Sequence, residues 1–182
     1  IGAGCGDSDD PAPAPRPPET AEALPALPRG WEPHVNGPAG FALGIPRGWE
    51  ASDRGISTLV RSFDRLVAVS ITPDRTGEAL ELGLPDFATR ALLALPGFEG
   101  DLDPTDPRPY AHRYDGVAVR ARATAAQSGV RQRLELIVLR RPELATFTVV
   151  VAANAERDSA PAARVAERVV DTLRSRPVGP PS

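Results

Sequence analysis

Methionine and lysine are missing from this chain, and cysteine occurs once and histidine twice. One cysteine excludes an internal disulfide, so whatever folds here is held by packing alone. Two histidines, His34 and His112, exclude a three-histidine metal site and make a mixed His/Cys cluster implausible. All 21 basic residues are arginine, which with the abundant alanine and proline fits a GC-rich genome better than a special chemistry. Long hydrophobic runs are lacking too: the longest apolar stretch, FTVVVAANA, falls far short of the roughly 20 residues that a bilayer helix needs. No glycine loop is shaped to cradle phosphate, and no serine lies in a nucleophile-elbow context.

What is present begins at the N-terminus. The chain starts at Ile1, with IGAGC followed by GDSDDPAPAPRPPET. IGAGC resembles the end of a bacterial lipoprotein signal: small residues precede an invariant cysteine whose thiol receives a diacylglycerol. Gly2 stands where such signals usually carry leucine. The absence of an initiator methionine fits a signal that extends upstream. On this reading residues 1–5 close the signal, Cys5 is the lipid attachment site, and at least two acyl chains hold the protein at the extracytoplasmic face of the cell membrane, at roughly 0.8 kcal/mol per buried methylene. Five prolines fall within Pro11–Pro18, and six acidic residues precede residue 39 against only Arg16 and Arg29. A segment of that composition cannot close a hydrogen-bonded ladder or bury a core, so residues 6–38 read as a flexible tether.

The remainder, 39–176, has the length of one ordinary domain, with 177–182 as a proline-rich tail. Its charge is near balance, which gives no reason to expect nucleic acid. GFALGIPRGWE alternates Phe41, Leu43 and Ile45 before a Pro-Gly turn, as a strand does; GISTLVRSF and RLVAVSITP read as a hairpin turning at Asp64. In LPDFATRALLALPG, Asp86 precedes an apolar pattern at helical spacing that Pro96-Gly97 ends. Three β-rich runs follow between Asp115 and Asn154, with period two and short connections, which predicts an antiparallel meander; the third, apolar on both faces, should be central. DSAPAARVAERVVDTLRSRP predicts a final amphipathic helix capped by Asp158 or Ser159, with Arg174 and Arg176 favouring its C-terminal end and Pro177 stopping it. Helices on an antiparallel sheet define an α+β fold.

A strand ending in Pro46, Gly48 and Trp49, then a hairpin, a short helix, a meander ending in FTVVVAAN and a last amphipathic helix together resemble the LpqN-like bacterial lipoproteins and the wider PsbP-like fold. The resemblance covers about residues 39–176. It implies an α/β/α sandwich without catalytic activity or cofactor. Members bind protein partners, as photosystem extrinsic subunits and a Ran-binding import factor do, and LpqN-like lipoproteins are linked to envelope lipid handling.

Candidate contact residues come from the residues themselves. Arg120, Arg122, Arg131 and Arg133 share one alternation on neighbouring strands, and guanidinium groups suit phosphate or carboxylate. They form either the solvated side of a half-buried sheet or, if the last helix covers that side, its rim. Tyr110, His112 and Tyr114 cluster near Asp115, and Trp49 belongs to a five-residue stretch, PRGWE, that occurs at Pro28–Glu32 and again at Pro46–Glu50. The first copy gives a second large aromatic, Trp31, suited to anchoring the tether on the domain or to meeting a partner. A catalytic His112 would need Asp115 beside it in a cleft. Glu99, Asp101, Asp103 and Asp106 could ligate calcium, but Pro104 and Pro107 stiffen their loop and the sharp-turn glycine is missing, so a solvated connection is expected. Two functions follow as expectations: an anchored, non-catalytic module that binds an envelope protein partner, or a carrier of a lipid-like ligand held between sheet and helix. The anchor has a direct check. With its full signal present, a Cys5→Ala variant should move from the detergent to the aqueous phase on partitioning; unchanged partitioning would refute acylation there.

Overall fold

The computed structural model describes residues 22–99, 102–142 and 145–176; Cys5, Asp101, Pro177 and the tail 177–182 lie outside the described residues. In chain order the elements are β1 (Trp31–Asn36), β2 (Phe41–Pro46), β3 (Glu50–Arg54), β4 (Ser57–Arg61), β5 (Val67–Pro73), α1 (Glu78–Leu82), α2 (Leu84–Leu93), β6 (Phe98–Glu99), β7 (Arg108–Pro109), β8 (Asp115–Ala125), β9 (Arg131–Arg141), β10 (Ala145–Asn154), α3 (Ala160–Asp171) and β11 (Arg174–Ser175). Eight strands make one antiparallel sheet in the order β3-β4-β5-β10-β9-β8-β6, with β7 also on β8; β1, β2 and β11 make a second, small sheet. The α+β class holds, with helices on both faces of the large sheet.

Alternation along the strands builds two cores. Val67, Val69 and Ile71 of β5, Phe147, Val149 and Val151 of β10, and Ile137 and Leu139 of β9 face α3 and the small sheet. Val119, Ala121 and Ala123 of β8 and Leu134, Leu136 and Val138 of β9 face α2. The apolar third run lies between β5 and β9, near the middle of the sheet as expected. α2 buries Leu84, Phe87, Ala88 and Leu92, the i, i+3, i+4 and i+8 stripe of an amphipathic helix. Its N-cap is Gly83 rather than a residue at Asp86, because Pro85 occupies the first turn and leaves Asp86 inside it, where a carboxylate favours the positive end of the helix dipole. α3 buries Ala166, Val169 and Val170. It ends at Asp171, before Pro177, and the chain turns into β11 beside Phe41 and Ala42 of β2.

The boundary at residue 39 needs correction. Trp31–Asn36, read above as tether, pairs along its whole length with Phe41–Pro46. Pro33 and the polar residues of WEPHVN hide the strand signal, but an edge strand tolerates a proline, since its outward N–H has no partner to lose. Residues upstream of β1 are packed too. A side chain at Gly44 would meet Leu27 at 2.5 Å and Trp31 at 3.2 Å, so the segment 22–31 lies as a strap across the outer face of β2. Trp31 packs against the core, and the Arg168 guanidinium of α3 sits 5.3 Å from its ring centroid.

The strap's packing predicts a measurable cost. Gly44→Ala should destabilise the domain by about 1–3 kcal/mol through overpacking against Leu27. Combining it with Leu27→Ala should recover part of the Gly44→Ala loss, as read from urea unfolding of the four chains in a double-mutant cycle.

Candidate binding site

α3 packs on β2, β5 and β10 and leaves the same face of β8 and β9 open along one side. The alternation of β8 and β9 puts arginines on that open face. Arg120 lies opposite Glu135 and Arg122 opposite Arg133. Directly opposed guanidinium groups repel one another, and neighbouring acceptors draw most of this row into place. Glu135, only 13% exposed at its side chain, accepts from Arg120 at 2.9 Å and from Arg108 at 2.7 Å. Arg133 donates to the Ser159 hydroxyl at 2.7 Å, and Arg131 pairs with Glu156 at 3.0 Å. Ser159 precedes α3, so the row lies at the rim of the last helix.

Between rim and helix runs an open groove of about 810 Å³. One wall is the α3 stripe Ala160, Ala163, Arg164 and Glu167, spaced i, i+3, i+4 and i+7; Val151 and Ala153 form an apolar floor. The far wall is the connection after β6. Its Thr105 N–H donates to the Arg120 carbonyl at 2.8 Å and its hydroxyl accepts the Arg120 N–H at 3.1 Å, which brings Asp103 to the groove. The groove therefore joins a floor of small apolar groups to a charged rim. Among the described residues, no group of three or more His, Cys, Asp or Glu side chains is placed to hold a metal ion.

Tyr110, His112 and Tyr114 lie at the end of the sheet where β8 begins, with Tyr110 on the side toward Glu135 and Glu167 of the groove. Burial raises the Tyr110 hydroxyl above its ordinary value, helped by the nearby carboxylates of Asp171, Glu135 and Glu167. Tyr114 is buried; its hydroxyl donates to the Glu22 carboxylate and accepts the Ser175 N–H at 2.9 Å. Glu22 also pairs with Arg113 and, at 3.7 Å, with Arg141. One carboxylate thus joins the strap to the turn before β8 and to the end of β9, and the Tyr114 hydroxyl extends the link to β11. Burial, with Glu22 beside it, pushes the Tyr114 hydroxyl up to about 12.

His112 does not meet Asp115. Its Nδ1 accepts the Tyr114 N–H at 3.1 Å, and Asp115 faces Arg140 at 3.8 Å. The buried Nε2 makes no well-aligned hydrogen bond among the described residues, although the nearby Val170 carbonyl eases protonation slightly. Burial, reinforced by the Arg174 charge, lowers the imidazole to about 4. Arg174, 8% exposed, donates to the carbonyls of Asp171 and Leu173 as a cation at a helix C-terminus should. The candidates thus separate into an arginine groove, a tyrosine–histidine corner, and Trp49 in its turn at the far end. Residues missed from sequence are Glu22, whose partner Tyr114 is 92 positions away, and Arg164. Arg164 was legible in principle as the i+4 neighbour of Ala160 on the polar edge of α3.

No protein-family model matches the chain, and no curated protein matches it. Solved structures do. A protein of Bacteroides thetaiotaomicron VPI-5482 aligns with 84% of this chain at 14% identity and a TM-score of 0.51; the chain spans about half of that protein, 51%. The cyanobacterial PsbP (CyanoP) of Synechocystis sp. PCC 6803 matches at 13% identity and a TM-score of 0.49, over 85% of this chain and 98% of the other. LpqN of Mycobacterium tuberculosis, involved in cell envelope biogenesis, matches at 18% identity and a TM-score of 0.41, over 85% and 83%. The PsbP and LpqN folds named by the sequence resemblance are both among the structures similar to this chain. At these identities the likeness is one of fold.

The His112 environment sets a pH dependence. The unfolded chain takes up a proton near pH 6.5 and the folded chain only near 4, so between these values the unfolded state binds more protons and stability falls as pH falls. An NMR titration of the two histidines should place the His112 midpoint near 4. In His112→Gln the stability curve should be flatter between pH 6.5 and 4 than in the parent.

Proposed function

We propose that this chain is a non-catalytic binding module of the cell envelope, acylated at Cys5, whose working surface is the groove between α3 and β8–β9. The observation that carries the reading is the pairing of Arg122, Arg133 and Arg164 with a floor of Val151 and Ala153 in one open trough. Its preferred occupant is an acidic, partly apolar segment of a protein partner: guanidinium groups receive carboxylates in bidentate fashion, and the alanines of α3 permit close approach of a backbone. The LpqN and PsbP resemblance supports an accessory rather than a catalytic role. The arrangement of His112 and Asp115, each held by a different partner, fits that role.

The apolar floor favours a second reading, in which the groove takes the tail of an amphipathic ligand and the rim its anionic head. The two readings separate in one pair of measurements. A photo-reactive residue at Ala163 in cells should give a discrete cross-linked protein band that Arg122→Glu with Arg164→Glu removes, while native mass spectrometry of chain taken gently from its own envelope should give the bare polypeptide mass. A reproducible lipid adduct lost in the same double variant would instead establish the carrier, and neither signal would refute the groove as the working surface.

A further inference from the structure

The duplicated stretch has a structural meaning that the groove does not use. Pro28–Trp31 and Pro46–Trp49 form the same turn: each tryptophan N–H donates to the proline carbonyl at 3.0 Å, and the glycines take φ of 81° and 86°. These are type II turns, in which glycine is the residue able to hold the third position without strain. The turns lie side by side, because Trp31 pairs with Pro46 and the Arg47 N–H donates to the Gly30 carbonyl at 2.8 Å. Arg29 and Arg47, at matching second positions, are exposed; the tryptophans behind them are half-buried against the core.

A third turn joins them. Glu50, next to Trp49, pairs with Arg61, so the β4–β5 turn extends from the same end. At its tip Phe63 is 86% exposed, the most exposed large apolar side chain described. The turn that carries it is tightly bonded. Ser62 donates to Asp64 at 2.6 Å, Asp64 accepts the Leu66 N–H at 3.0 Å, and the Val67 N–H returns to the Ser62 hydroxyl at 3.0 Å. Arg65, at φ 57°, is the only non-glycine residue with positive φ among the described residues, and it is exposed beside Phe63. Glu32, Glu50 and Asp64 bring negative charge to this end, against Arg29, Arg47, Arg61 and Arg65. The surface is a row of turn tips with cations around one protruding ring.

We infer that this end of the domain docks on an anionic lipid bilayer, with Phe63 in the acyl boundary and Arg29, Arg47, Arg61 and Arg65 on the phosphates. Turn tips that carry an exposed aromatic ring among guanidinium groups match a fluid, planar, negatively charged surface; the ring exchanges water for hydrocarbon while each arginine gains from the surface potential. The docking end lies opposite the Glu22 corner, where the strap is held. Seventeen positions separate Cys5 from Glu22, a span of at most about 60 Å, so an acylated chain can reach the same bilayer with this end.

The test uses the whole 182-residue chain, produced without acylation, and sedimentation with sucrose-loaded vesicles. Vesicles of phosphatidylcholine with about one third phosphatidylglycerol should carry the chain down, and phosphatidylcholine alone should not, with binding that weakens as salt rises. Phe63→Ser should lower the partition coefficient about tenfold, and Arg29→Gln with Arg47→Gln at least tenfold with a shallower salt dependence. Val35→Ser, exposed near the other end, should leave it unchanged. The proposal is overturned if the parent chain does not sediment with the anionic vesicles, as a protein-only docking surface would predict. It is equally overturned if Phe63→Ser and the arginine pair, shown folded by their thermal transitions, bind as the parent does.

Discussion

Burial of β2 on both faces is the constraint on which this side of the molecule rests. Phe41, Ala42, Leu43 and Ile45 are all buried, an arrangement open to a strand that lies between two layers. Phe41 reaches the large sheet and meets Phe147 edge-on at 5.8 Å between ring centroids, while Gly44 leaves the opposite face flat enough for Leu27 and Trp31. The Gly44 N–H, turned away from a strand partner, donates to the Thr172 hydroxyl at the end of α3 at 2.8 Å. With a third strand of only two residues this sheet is little more than a hairpin, which is marginal alone. It persists because one strand is shared among the sheet beneath, the helix beside and the strap above.

That sharing explains what could be read from the residues and what could not. The large sheet was legible because its strands are long and their alternation is local: Val117–Ala123 and Leu134–Val138 announce their faces without reference to anything distant. The central place of β10 followed from its two apolar faces. β11 and the strap were not legible, since their partners lie far away in sequence, and β1 was not because Pro33 and its polar residues hide the alternation even though β2 follows directly. WEPHVN looks like a loop until β2 lies beside it, and Arg174–Ser175 is a strand only because Phe41 and Ala42 accept it. α1 was missed for a different reason. Its five residues begin after Gly77 and end before Gly83, too short for a period to emerge.

The arginine row was legible as a row, and its environment was not. Periodicity placed Arg120, Arg122, Arg131 and Arg133 on one face, but whether that face meets water or a helix depends on how far α3 reaches across the sheet. α3 stops over β10, so the row is neither buried nor wholly solvated, and a trough remains. Such a margin is where guanidinium groups are most useful. They keep much of their hydration and are oriented by Glu135, Ser159 and Glu156, so a carboxylate or phosphate arriving there meets donors already held in position.

The Glu22 corner gives the domain a direction. A carboxylate that binds Tyr114 and two arginines fixes the strap where β8, β9 and β11 converge. The same geometry separates the held end of the strap from the paired PRGW turns by the length of the small sheet. The fold thus sets the held end of the strap and the exposed turns at opposite ends, with the groove along the side between them.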